Sequence, residues 1–155
     1  MNATVSASPK RASDRTGWWL AARALGAIAT LAVGAVHLQQ YFQLYSSVPT
    51  IGTLFVLNFA GATAIGLVLL APLERLAARI GAGAVALASL GGIGLAATSF
   101  VLLFVSERTP LFGFQEPGYD PSAIAFARVA EVVAVVSLGT YLVVRFRARP
   151  SMPRW

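Results

Sequence analysis

Cysteine is absent from this chain of 155 residues, and histidine occurs once. The first absence excludes disulfides, thiolate metal sites, iron–sulfur clusters and cysteine nucleophiles. The second means that a metal centre built on His37 would need carboxylate or amide partners, and that two histidines could face one haem only across a dimer. Charge is scarce as well. Asp, Glu, Lys and Arg make up 12% of the residues, against about 25% in soluble domains. With 57% of the residues hydrophobic, a soluble fold is not expected. Acidic groups are the rarer ones, and the chain carries a net charge of +6 and a pI of about 10.8. The basic residues lie mostly in the tails and one loop and form no patch, so nucleic acid is not an expected partner.

What the chain does have is four apolar runs, Trp18 to Leu38, Ile51 to Leu73, Ile80 to Val105 and Ala123 to Val144. At 1.5 Å of rise per residue each covers the ~30 Å hydrocarbon core of a bilayer. The connections are short, which makes neighbouring helices antiparallel. The fold class read from the sequence is therefore all-α, a polytopic membrane protein built as an antiparallel four-transmembrane-helix bundle. Residues 1–17 read as a flexible basic tail, 18–146 as the transmembrane domain and 147–155 as a second basic tail.

Orientation follows from the basic residues. Lys10, Arg11 and Arg15 precede the first span, Arg75 and Arg79 separate the second from the third, and Arg145, Arg147, Arg149 and Arg154 follow the fourth. The other side offers only Arg108, in a loop that also holds Glu107, Glu116 and Asp120. Both termini are expected in the cytoplasm, with the protein multi-pass in the plasma membrane. The first apolar run exceeds the 7–15 residues of a signal-peptide core, so it reads as an uncleaved helix.

Small residues recur every fourth position at Ala22, Gly26, Thr30 and Gly34, and again at Ala62 and Gly66. Such faces let helices approach closely, within one chain or between two, and the intrachain use is the commoner. Five glycines in the third span, from Gly81 to Gly94, mark it as the expected packing centre. In the outer loop Leu111-Phe112-Gly113-Phe114 is too apolar for water and is expected to lie in the outer interface or to fold over the bundle mouth, and Asp120-Pro121 reads as N-cap and first turn of the last helix.

Because the helices alternate in direction, depth can be compared by counting inward from the outer end of each span. Asn58, Thr98, Ser99, Arg128 and Glu131 then fall at roughly 7–12 Å depth, with His37, Gln40 and Tyr41 at or just above that layer. The candidate polar cavity is His37, Tyr41, Asn58, Thr98, Ser99, Arg128 and Glu131. Arg128 and Glu131, three residues apart, are expected to pair, since an isolated charge at this depth is costly. Arg23 reads as an anchor reaching the headgroups, and Glu74 and Arg75 as solvated.

Val36-His37-Leu38 with Tyr45, then the run Pro49-Thr50-Ile51-Gly52-Thr53-Leu54-Phe55, the Leu111 to Phe114 loop and Glu131 together resemble a set of small four-helix membrane proteins from actinobacteria. The likeness spans nearly the whole membrane part and implies the four-helix fold, but no activity. A weaker similarity, an arginine early in the first of four helices, is to DoxX-like membrane proteins.

These residues admit three functions. The first is association, as an accessory or scaffold subunit without enzymatic activity, whose partners are the bilayer and another membrane protein or a second copy. The alternative is a small-molecule or redox-cofactor binder of haem or quinone type using the outer polar layer. Proton or cation transport through Glu131 ranks last, because the inner halves of the spans offer no polar path. The cofactor is left unknown, no metal is assigned and no residue is assigned a catalytic role.

Overall fold

The computed structural model describes residues 9–147. It is an all-α bundle of four long helices, α1 (Pro9–Gln40), α2 (Pro49–Leu70), α4 (Ala78–Ser106) and α5 (Pro121–Arg147), with a one-turn helix α3 (Leu73–Leu76) between α2 and α4. All four long helices are apolar and long enough to cross a membrane. The helical start at Pro9 overlaps the expected tail of residues 1–17, and residues 1–8 and 148–155 lie outside the described part.

Local chemistry sets the boundaries. Pro49 opens α2, where its fixed φ suits the first turn. The expected second span ran to Leu73, but the helix stops at Leu70. The next residue, Ala71, is extended (φ −67°, ψ 140°), as the residue before a proline prefers. Asp120 caps α5, its Oδ1 accepting from the Ala123 backbone N–H at 3.0 Å and from the Ser122 hydroxyl at 2.8 Å. That carboxyl is held below the usual aspartate range chiefly by the Ala123 N–H, then by the hydroxyl of Ser122 and the amide of Gln40.

The first helix does not simply end. It runs into a π-helical turn, Tyr41–Tyr45, which swings the buried Tyr45 ring under the start of α2. Gly52 makes this possible, since a Cβ there would lie 2.6 Å from the Tyr45 carbonyl and 3.2 Å from the Tyr41 ring.

The packing centre is α1 rather than α4. A Cβ at Gly26 would strike Leu138 of α5, one at Gly34 would strike Ala62 of α2, and one at Gly66 would strike Leu31. The small-residue faces are thus used within the chain. A Cβ at Gly83 or Gly94 of α4 would have nothing within 4 Å, so two of the five glycines that marked α4 as central pack against no neighbouring helix. Ala27, Leu69, Val85, Leu138, Tyr141 and Leu142 form the larger core cluster, in the half of the bundle that carries the termini. A smaller cluster of Ala29, Ala96 and Ala134 lies nearer mid-bundle. Outward side chains such as Leu57, Leu87 and Val136 are 60–72% exposed, the all-round apolarity of helices that face lipid.

Candidate functional site

Toward the loop end the core opens into a cavity of about 440 Å³. Its walls come from the end of α1, the first turns of α2, the last four turns of α4 and the start of α5, with the 111–116 loop as roof. The roof is a tight turn in which Leu111 and Phe114 exchange backbone hydrogen bonds of 2.7 and 2.9 Å. Phe112 and Gly113 sit at φ 53° and 80°, the positive values such a two-residue turn demands. The Leu111 to Phe114 segment therefore does lie over the bundle mouth, facing the cavity.

Three ties frame the mouth. The Tyr45 hydroxyl donates to Glu116 Oε2, and the same carboxylate's Oε1 accepts from the Gly118 and Tyr119 backbone N–H groups at 2.8 and 3.1 Å. The Gln40 amide donates to Asp120 Oδ2 at 2.9 Å, joining α1 to α5. Arg128 pairs with Glu107 at 2.5 Å, joining α5 to the end of α4. Aromatic rings line the same region, with His37 to Phe55 at 5.0 Å, Phe55 to Tyr45 at 4.8 Å and Tyr45 to Phe114 at 5.6 Å between centroids.

Of the seven candidate residues, His37, Asn58, Thr98 and Ser99 stand on the cavity wall. Asn58 reaches across from α2, its Nδ2 donating to Ser99 Oγ of α4 at 2.5 Å. His37 Nδ1 lies 2.8 Å from the Val33 carbonyl. A carbonyl only accepts, so Nδ1 carries the hydrogen and, in the neutral ring, Nε2 keeps the lone pair.

The other three lie elsewhere. Tyr41 packs on Phe42 and against Gly52, away from the wall. Arg128 and Glu131 make no salt bridge with each other. Side chains on a helix lean toward its N-terminus, which sends the long arginine up toward the mouth, where Glu107 meets it. Glu131, 60° or so further round the helix, turns inward and is 1% exposed with neither carboxylate oxygen hydrogen-bonded. Ala127, one turn above it on α5, is a wall residue, so Glu131 sits just beneath the cavity floor.

Two further readings of single residues change. Arg23 does not reach for headgroups. It is 7% exposed, and its guanidinium donates to the Leu69 carbonyl at 2.5 Å, to the Ala71 carbonyl at 2.7 Å and to Glu74 Oε2 at 2.7 Å. Glu74 is correspondingly bound, with Arg145 at 3.6 Å from its other oxygen, an ion-pair distance beyond hydrogen bonding. Glu116, which reads in the sequence as a loop charge, is a buried acceptor. The signal for it was Glu-Pro-Gly, an acceptor placed two residues before a turn glycine whose N–H needs one.

Among the described residues no group of three or more His, Cys, Asp and Glu is gathered to hold a metal ion. The architecture defines a class, a multi-pass four-helix membrane bundle with a pocket at one end. Comparison with known protein families, curated proteins and solved structures finds no match.

Proposed function

We propose that this protein lies in the plasma membrane with both termini cytoplasmic and binds a small, largely apolar molecule in the cavity at its outer end. The observation that carries the reading is the cavity itself. About 440 Å³ falls within the roughly 300–1,000 Å³ of small-molecule sites, and few polar side chains converge on its otherwise apolar wall. Leu57 of α2 and Leu102 of α4 belong to the wall and are also 60% and 37% exposed, which supports access sideways between α2 and α4 from the lipid. The cytoplasmic assignment of the termini rests on Arg75, Arg79, Arg145 and Arg147 at the opposite end of the bundle.

The resemblance to small actinobacterial four-helix proteins belongs to the same reading. Among the residues that carry it, His37, Tyr45, Phe55, Leu111 and Phe114 are wall residues of this cavity. An accessory role through association has less behind it, because Gly26, Gly34 and Gly66 are used in packing within the chain.

The test is to purify the protein in nanodiscs formed from its own host membrane and identify the small molecules retained, by native mass spectrometry. Wild type should retain a non-bulk molecule that the cavity-filling variant Ala127→Phe loses. Identical retention by both, with the variant folded, would overturn the proposal.

A further inference from the structure

We infer that the cavity recognises its occupant by a hydroxyl group, of the phenol type, whose O–H donates to His37 Nε2. This rests on the cavity being a binding site and deepens it to a ligand class.

The argument is an audit of the wall's polar groups. The carboxylates are taken: Glu116 accepts from Tyr45 and two backbone N–H groups, and Asp120 from Gln40, Ser122 and Ala123. The Ser106 hydroxyl donates to the Leu103 carbonyl at 2.9 Å. No charged side chain on the wall is left over, so an ionic head would enter a low-dielectric site without a counter-charge. A neutral head is the chemistry that fits.

What remains open at the wall is an acceptor, since His37 Nε2 makes no hydrogen bond among the described residues, whereas Asn58 Oδ1 is buried out of reach. Ser99 Oγ accepts from Asn58, which leaves its own hydrogen available. The two helices hold these groups at one level, since Gly34 packs against Ala62 and the antiparallel register then sets His37 beside Phe59, next to Asn58. A ketone or quinone head could take a hydrogen from the Ser99 or Thr98 hydroxyl but would turn oxygen lone pairs toward His37 Nε2. A hydroxyl meets both needs, donating to the imidazole and accepting from serine. The chain of rings from His37 through Phe55 and Tyr45 to Phe114 gives an aromatic body edge and face contacts, which selects a phenol over a linear alcohol.

His37 is the only histidine, so ¹⁵N-histidine labelling of the full chain reports on this nitrogen alone. In nanodiscs at about pH 8, where an ordinary imidazole is neutral, 4-nonylphenol should move the Nε2 resonance saturably. Its methyl ether, 4-nonylanisole, should compete for the site without moving it. The phenol should bind roughly tenfold tighter, the worth of one hydrogen bond, and His37→Phe should erase that preference. Ala127→Phe should abolish the shift, which separates cavity binding from phenol dissolved in lipid. Equal affinity of the two compounds, or equal effects on Nε2, would overturn hydroxyl recognition and leave the cavity reading standing. If neither compound binds or raises the melting temperature, the cavity reading fails and this inference with it.

Discussion

Replacing Arg23 by lysine keeps the charge and nearly the reach of the side chain and removes only the guanidinium fork. The fork meets three acceptors on one short stretch: the carbonyls of Leu69 and Ala71, which end α2, and the carboxylate of Glu74. The last carbonyls of a helix have no partners inside it, and a cation there also meets the negative end of the helix dipole. An ammonium can point at one or two of these acceptors but not at all three. Hydrogen bonds to a charged group contribute about 1.5–3 kcal/mol each, and the Ala71 carbonyl retains a second donor in the Leu73 N–H at 2.9 Å. Glu74, with 22% of its side chain exposed, recovers part of its loss from water. Arg23→Lys should therefore cost roughly 2–3 kcal/mol, and Arg23→Met, which strands the buried acceptors, roughly 3–5 kcal/mol.

A headgroup anchor would behave otherwise, because lysine snorkels as well as arginine does. Reversible unfolding in mixed micelles, read by Trp fluorescence or by steric trapping, distinguishes the two. The companion variant Glu74→Gln should lose less than Arg23→Met, since the carbonyl bonds survive it. If Arg23→Lys unfolds within about 0.5 kcal/mol of wild type, which is the scatter of ordinary surface substitutions, the capping argument is wrong.

Four other outcomes follow from the same geometry. In a double-mutant cycle, Arg128→Leu and Glu107→Leu should show a coupling of about 0.5–1 kcal/mol, modest because a third of the arginine is exposed, whereas Arg128→Leu and Glu131→Leu should be close to additive; the reverse pattern would restore the Arg128–Glu131 pair. Glu131→Met should stabilise the bundle by about 1–3 kcal/mol, since it removes a buried carboxyl with no hydrogen bond, and a loss of stability in the same unfolding assay would reveal a partner. Gly81→Ala should cost about 1–3 kcal/mol, because its Cβ would press on the Leu73 and Glu74 backbone, which cannot yield; Gly83→Ala, with open space around it, should be neutral or stabilising by up to about 1 kcal/mol, and equal effects would refute the close approach. Asp120 titrates below the ordinary aspartate range when folded, so its contribution is complete above that range and lost as the pH falls through the folded value; thermal melts from neutral to strongly acidic pH should show Asp120→Asn with a flatter acid limb, and an unchanged limb would exclude the effect.

Axial position was legible in the sequence and azimuth was not. A helix rises by a fixed step, so counting from the span ends set His37, Asn58 and Ser99 at one level, and the three stand on one cavity wall. The rotation of each helix about its own axis depends on what it packs against, and no apolar stripe fixes it where every face is apolar. Tyr41, Arg128 and Glu131 were therefore placed at a plausible depth but not on the wall. The pairing of Arg128 with Glu131 considered only one helix, while the better partner, Glu107, lies on another. Arg23 and Glu74 were misread for the same reason: an arginine one turn inside a span looks like an anchor until the end of a neighbouring helix is brought beside it. Glycine number misled about α4, because a glycine marks a contact only if something lies against it, and beside Gly83 and Gly94 nothing does.

The placement of the polar ties bears on how a molecule could reach the cavity. Gln40 with Asp120, Tyr45 with Glu116 and Arg128 with Glu107 join α1 to α5, the π turn to the roof, and α5 to the end of α4. Each would have to break for the mouth to widen from above. Between α2 and α4 the wall is held differently. Among the described residues the one side-chain hydrogen bond joining those two helices is Asn58 to Ser99, and above it stand Leu54, Leu102 and Leu103, whose contacts carry no directional cost when they part. Interhelical bonds of that kind contribute about 0.6 kcal/mol on average in membranes, a small term beside three ties that include an ion pair. The α2–α4 seam is thus the side of the cavity that opens at least cost, and its wall residues Leu57 and Leu102 are exposed on the outer surface of the bundle. The same bond that closes it occupies the Ser99 oxygen as acceptor and leaves the serine hydrogen free. Parting the seam and offering that hydrogen to a bound molecule are consequently coupled through one pair of residues.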